Sequence, residues 1–168
     1  LYVLLLWLSS MVLVPFPLHR GTPSPAERIH RLSTRFLSRP GKERDAASIV
    51  LGRLYARQES EVLFSAFLQD AEQATASLEP TGVLQTLCAF VKQADASVIR
   101  AHYDAMLRVI AHLRTVDTRN MLVDRYAIKL EGRLAMHDPR DAHVDTLLHA
   151  LAHACLLYTS DAADDSLR

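Results

Sequence analysis

Ala47-Ser48-Ile49-Val50-Leu51-Gly52-Arg53-Leu54 returns 80 residues later as Ala127-Ile128-Lys129-Leu130-Glu131-Gly132-Arg133-Leu134. The copies share an Ala, an aliphatic residue three positions on, and then Gly-Arg-Leu. Neither copy contains proline, and both sit in segments whose apolar residues follow the helical period. Eighty is two periods of about forty, the length of a stacked helical pair of the HEAT or armadillo type. Halfway between the copies, Gly82 to Lys92 also reads as a helix. A small Ala and Gly on one side would let a neighbouring helix approach closely, while the aliphatic positions fill a core.

The 168-residue chain is 49% hydrophobic, 23% charged and 7% aromatic. It has enough apolar surface to bury a core, and its abundance of Ala, Leu and Arg favours helices over sheets. A formal net charge of zero argues against nucleic-acid binding through an uncompensated basic surface. Cys88 and Cys155 lie far apart and suit buried thiols in a reducing compartment. Because the chain opens on Leu1, inside an apolar run, a fragment of a longer protein is expected.

Leu1 to Val14 is apolar on nearly every side, but Ser9-Ser10 interrupt it and Pro15 ends it, short of the roughly 20 residues a membrane span needs. A helix buried on several sides, belonging to a preceding repeat, is the expectation. Pro15, Pro17, Pro23 and Pro25 mark an extended connection. Ser24-Pro25-Ala26-Glu27 is a capping box opening a helix whose inward stripe is Ile29, Leu32 and Phe36. A second helix runs from about Glu43 to Arg57. A third follows Ser60, with Val62, Leu63, Phe67 and Leu68 directed at the core. Thr81 caps the helix carrying Leu84, Leu87, Cys88 and Val91. One helix from Asp95 carries Ile99, His102, Met106, Val109 and Leu113. Asp117-Thr118 open the helix with the second echo, Asp138-Pro139 close it, and a last helix uses Val144, Leu147, Leu148 and Leu151. Helices then begin near 26, 43, 60, 82, 97, 118 and 141. Taken alternately, they form two series with steps of about forty, as stacked pairs require. The expected fold is an all-α solenoid over 1–154, with 155–168 set apart as a tail. That tail lacks a core face and resembles translated adapter sequence, with a natural acidic linker as the alternative.

Tyr2-Val3-Leu4-Leu5-Leu6-Trp7-Leu8-Ser9, followed by Leu13-Val14-Pro15-Phe16, resembles a segment of the tubulin-folding cofactor D (tubulin-specific chaperone D) family. Arg44-Asp45-Ala46-Ala47, Gly82-Val83-Leu84-Gln85-Thr86-Leu87, and Arg119-Asn120-Met121-Leu122-Val123-Asp124 through Arg133-Leu134 fall in that family's order. The similarity spans roughly Tyr2 to His153, with Ser60 to Glu79 matching only in pattern. The resemblance implies a HEAT-repeat scaffold that captures β-tubulin after chaperonin release. It further implies work alongside tubulin-folding cofactors C and E in assembling the αβ-tubulin heterodimer, association with an ARF-like small GTPase, and a cytoplasmic, cytoskeleton-associated setting. It also implies a part in stimulating tubulin GTP hydrolysis, as a regulator and not as an enzyme. An unrelated HEAT-repeat carrier, such as a transport receptor or a kinase or phosphatase regulatory arm, is the other reading.

No catalytic signature accompanies these strings. The five glycines are scattered, and there is no Gly-x-Ser-x-Gly, His-Glu-x-x-His or Cys-x-x-Cys. No cofactor, metal site or catalytic residue is expected. His149 and His153 share a helical face at i,i+4, but two ligands alone make a poor site. His102, Tyr103 and Asp104 point about 100° apart and do not converge. The charge pattern is more informative. His19 to Arg44 holds seven Lys/Arg against two acids, and Asp45 to Pro80 holds six acids against two Arg. Within the basic stretch Arg28, Arg31 and Arg35 fall at i, i+3 and i+7 and line one side of their helix. Tubulin, the client implied by resemblance, is strongly acidic, so this row is the candidate partner-binding site. The alternative is a solvated face.

Overall fold

The computed structural model describes residues 1–73, 78–116, 120–137, 148 and 151–152. They form eight α-helices: α1 (Tyr2–Met11), α2 (Pro25–Leu37), α3 (Lys42–Tyr55), α4 (Glu61–Glu72), α5 (Pro80–Gln93), α6 (Ala96–Ala101), α7 (Tyr103–Val116) and α8 (Met121–Ala135). No strand occurs among the described residues. The helices pack in two layers. In one, α1, α3, α5 and α8 lie side by side in that order; in the other, α2 packs on α3, and α7 packs on α4 and α8. The first layer's helices begin at residues 2, 42, 80 and 121, steps of 40, 38 and 41. The fold is an ARM/HEAT-type α-solenoid with the expected repeat length.

The starts of the helices follow from local chemistry. The Ser24 hydroxyl accepts from the Glu27 N–H at 3.2 Å, and the Glu27 carboxylate accepts from the Ser24 N–H at 3.0 Å, completing the capping box with Pro25 at the first helical position. At α5 the cap is Glu79, whose carboxylate accepts from the Gly82 N–H at 2.9 Å. Thr81, expected to cap, is instead buried inside the first turn. At α8 the Asn120 side chain accepts from the Leu122 N–H at 3.0 Å; Asp117-Thr118 and Asp138-Pro139 lie outside the described residues.

The echo occupies equivalent places. Ala47, Val50 and Leu54 are fully buried on α3, as are Ala127, Leu130 and Leu134 on α8. Its arginines are equivalent too. Arg53 donates to the Ser9 carbonyl of α1 at 2.9 Å, and Arg133 donates to the Cys88 carbonyl of α5. Each arginine therefore ties its helix to the neighbour one repeat back in the same layer. The glycines differ. A Cβ on Gly52 would lie 2.6 Å from the Ala89 Cβ, whereas one on Gly132 would meet nothing within 4 Å.

Several expected core positions move. On α2 the buried residues are Ala26, Ser33 and Leu37, while Ile29 and Phe36 are half-buried and Leu32 is 46% exposed. Helix α2 packs on α3 and, through Leu37 beside Gly82, reaches α5, so the covered face is Ala26, Ser33 and Leu37 and not the periodic Ile29–Leu32–Phe36 stripe. On α4 Val62 is 81% exposed and Phe64 is fully buried. The 3-10 turn at Gln58–Ser60 sets the phase of that helix, and the two positions differ by about 200° around it. The helix expected from Asp95 is broken at His102 into α6 and α7. Ile99, Met106, Val109 and Leu113 are buried as expected, but His102 is half-buried, its ring edge-on to Phe64 at 4.9 Å. Tyr55, Phe64, Phe67 and Phe90 form an aromatic cluster where α3, α4 and α5 meet, with Phe64 and Phe90 centroids 4.1 Å apart. Leu5 of α1 and Val12 just after it are buried, while Val3, Leu4 and Trp7 are 64–71% exposed, so the described residues cover this helix on one side. Val144 and Leu147 lie outside the described residues, and Leu148 and Leu151 are exposed. The boundary at 154 and the tail 155–168 also lie outside them.

Candidate functional site

Arg28, Arg31 and Arg35 are all exposed on α2, at the spacing that places them in one row. They border an open groove of about 530 Å³ between α1 and α2, whose apolar lining is Leu8, Pro25, Ile29 and Leu32. No ion pair neutralises any of the three guanidiniums among the described residues. The one carboxylate on α2, Glu27, is engaged in the capping box. The row and the apolar strip, expected on separate sides, therefore share one surface. The exposure of Leu32 is what joins them, and the periodicity of the sequence did not signal it.

Several other charged side chains hold the fold together. Arg44 meets Glu79 at 3.1 Å and His19 meets Glu59 at 3.1 Å, so the basic and acidic stretches pair at two points. The Arg57 guanidinium donates to the carbonyls of Val12, Val14 and Phe16 at 2.8, 2.9 and 2.6 Å and pairs with Glu59 at 2.7 Å. Glu59 accepts from the Leu18 N–H at 3.0 Å. That backbone donor, with Arg57 and His19, holds its carboxyl below the usual range. Arg114 grips Glu131 with two bonds of 2.8 and 3.1 Å, yet burial outweighs this pull and raises the Glu131 carboxyl.

Among the described residues, groups with catalytic potential do not converge. Burial pushes the Cys88 thiol up to about 11, so it stays protonated and unreactive near neutral pH. His30 lies 2.8 Å from the Tyr55 hydroxyl; burial, opposed by Asp70 and assisted by Arg31, lowers its basicity. The pair is a core contact between α2 and α3. A second groove, of about 390 Å³, includes His102 with Tyr55, Phe64 and Val98. Tyr103 is buried and Asp104 exposed, so the consecutive trio faces different ways. His149 and His153 lie outside the described residues. Among the described residues no three His, Cys, Asp or Glu side chains gather to hold a metal ion, and no helix is long and apolar enough to cross a membrane.

Residues 1–75 match the family model of the tubulin-specific chaperone D-like ARM repeat. The chain is also similar to tubulin-folding cofactor D of Schizosaccharomyces pombe, at 30% identity over 96 residues, which is 54% of this chain and 9% of that relative. The matched stretch thus spans under a tenth of the relative's length. No solved structure matches the chain. The family match takes in α1 to α4, and with them the arginine row. Over residues 1–75, then, the chain is similar to the ARM-repeat segment of the tubulin-specific chaperone D-like family.

Proposed function

We propose that this chain is part of a tubulin-folding scaffold that binds β-tubulin after chaperonin release and contributes to assembly of the αβ heterodimer. The carrying observation is that the family match over residues 1–75 coincides with the exposed row Arg28, Arg31 and Arg35, which has no ion-pair partner among the described residues. A stack of helices offers a long surface to a large globular client, and a row of unneutralised guanidiniums steers an acidic one such as tubulin. On this reading the protein acts in the cytoplasm, in association with the cytoskeleton. Its further partners are tubulin-folding cofactors C and E and an ARF-like small GTPase. It regulates tubulin GTP hydrolysis and does not itself catalyse it, in keeping with a site made of charge and apolar surface.

Replacing Arg28, Arg31 and Arg35 together with Glu tests the row. Association of the 168-residue chain with purified tubulin should slow by about tenfold or more at low salt. The difference should shrink as ionic strength rises, because the Debye length falls from roughly 30 Å at 0.01 M to about 10 Å at 0.1 M. Circular dichroism must show the helices intact. A folded triple variant that binds tubulin at the parent's rate in low salt would reduce the row to a solvated face.

A further inference from the structure

Electrostatic steering needs charge alone, yet the arginine row borders a concave apolar floor. Leu32 is 46% exposed beside the row, with Leu8 and Ile29 completing the floor. The apolar surface continues past the groove. On α1, Leu4 and Leu8 lie one turn apart on the same face, and Leu4 and Trp7 are 64% and 66% exposed. Arg28 to Arg35 spans two turns of helix, about 10 Å of axial rise, so three cationic heads flank the floor along its length.

We infer that the α1–α2 groove is a docking site for an acidic amphipathic helix of a protein partner, its apolar residues on Leu8, Ile29 and Leu32 and its carboxylates facing Arg28, Arg31 and Arg35. The charge complement follows from three guanidiniums with no ion-pair partner among the described residues. The helical form follows from shape. A trough between two helices receives a third helix through residues at i, i+3, i+4 and i+7, whereas a flat lipid surface would leave its floor unfilled. Carboxylates at i, i+3 or i+4, and i+7 on the incoming helix match the row's own spacing, and Arg presents a fork suited to them. This rests on the arginine-row reading above and adds to it an apolar anchor that steering does not require.

The test uses the 168-residue chain and a helical peptide of about 15 residues with Leu at i, i+4 and i+7 and Glu along one flank. A control peptide replaces every Leu with Gln at the same charge. Trp7 is the chain's single tryptophan, so its emission reports burial of the adjoining α1 face, and calorimetry gives the affinity. Saturable binding of the first peptide with a blue shift of Trp7 is expected, with the control about tenfold weaker or more. Leu32→Ser should weaken the first peptide at every salt concentration, and Leu32→Met should restore it. Arg31→Glu should weaken it chiefly at low salt. Equal binding of the two peptides, or indifference to Leu32→Ser in a variant with parental helix content, overturns the inference. So does a Trp7 shift with phosphatidylserine vesicles when neither peptide binds. Tubulin retained by the chain while the peptide is ignored sinks the groove and leaves the scaffold. Peptide bound through Leu32 with tubulin ignored does the reverse.

Discussion

Gly52 and Gly132 hold the same place in the repeated string and face opposite surroundings. Gly52 is buried where α3 meets α5, and a Cβ there would lie 2.8 Å from the Ala89 carbonyl carbon and the Phe90 nitrogen. Backbone cannot yield as a side chain does, so Gly52→Ala should cost about 1–3 kcal/mol. Gly132 is exposed on α8 with open space around it. There Ala removes unfolded-state freedom and suits the helix, so Gly132→Ala should gain about 0.5–1 kcal/mol. Urea denaturation of the two variants should show midpoints moving in opposite directions. Equal losses would mean that α8 has a close neighbour like that of α3.

At the scale of the element, α1 and the proline-rich connection after it are held by the end of α3. The Arg57 fork takes up three carbonyls, those of Val12, Val14 and Phe16, and Glu59 takes the Leu18 N–H. Carbonyls at a helix C-terminus lack intrahelical partners, and a guanidinium with five donors satisfies several at once. Arg57→Ala should therefore cost about 2 kcal/mol and raise amide exchange in the last turn of α1 before it does so in α5. Arg57→Lys should recover little, since one ammonium cannot serve three separated carbonyls. Unchanged α1 exchange in the alanine variant would show that Leu5 and Val12 packing alone holds the helix.

Over the whole molecule, contacts run between neighbours: α1 with α3, α3 with α5, α5 with α8. Stability in such a stack approximates a sum of local terms, so equivalent lesions should differ in reach. Leu54 and Leu134 are both fully buried, and each change to Ala should cost about 2–5 kcal/mol. Leu54→Ala, in a helix with neighbours on both sides, should loosen amide protection from α1 through α5. Leu134→Ala should loosen α7 and α8 and leave α1 to α3 protected. Identical protection patterns for the two variants would mean that the stack unfolds as one unit.

The sequence by itself determined the all-helical class, most helix starts and the forty-residue rhythm, because the signals involved are local, though not the break at His102 that splits the helix expected from Asp95 into α6 and α7. A capping box, a proline at a first turn and apolar residues at i, i+3 and i+4 act within a few residues of chain. Hence the starts expected near 26, 43, 60 and 82 fall within two residues of the observed 25, 42, 61 and 80. The buried Ala and Leu of the echo were legible in the same way. What faces what was decided only by tertiary packing. On α2 the periodic Ile29, Leu32 and Phe36 gave way to Ala26, Ser33 and Leu37, because the helix is turned to cover the face that meets its neighbours α3 and α5. The same turn left Leu32 in the groove beside Arg28 and Arg35. The arginine row could be read from spacing, but its apolar floor could not. A floor built from two helices depends on the angle between them, and no residue's own periodicity encodes that angle.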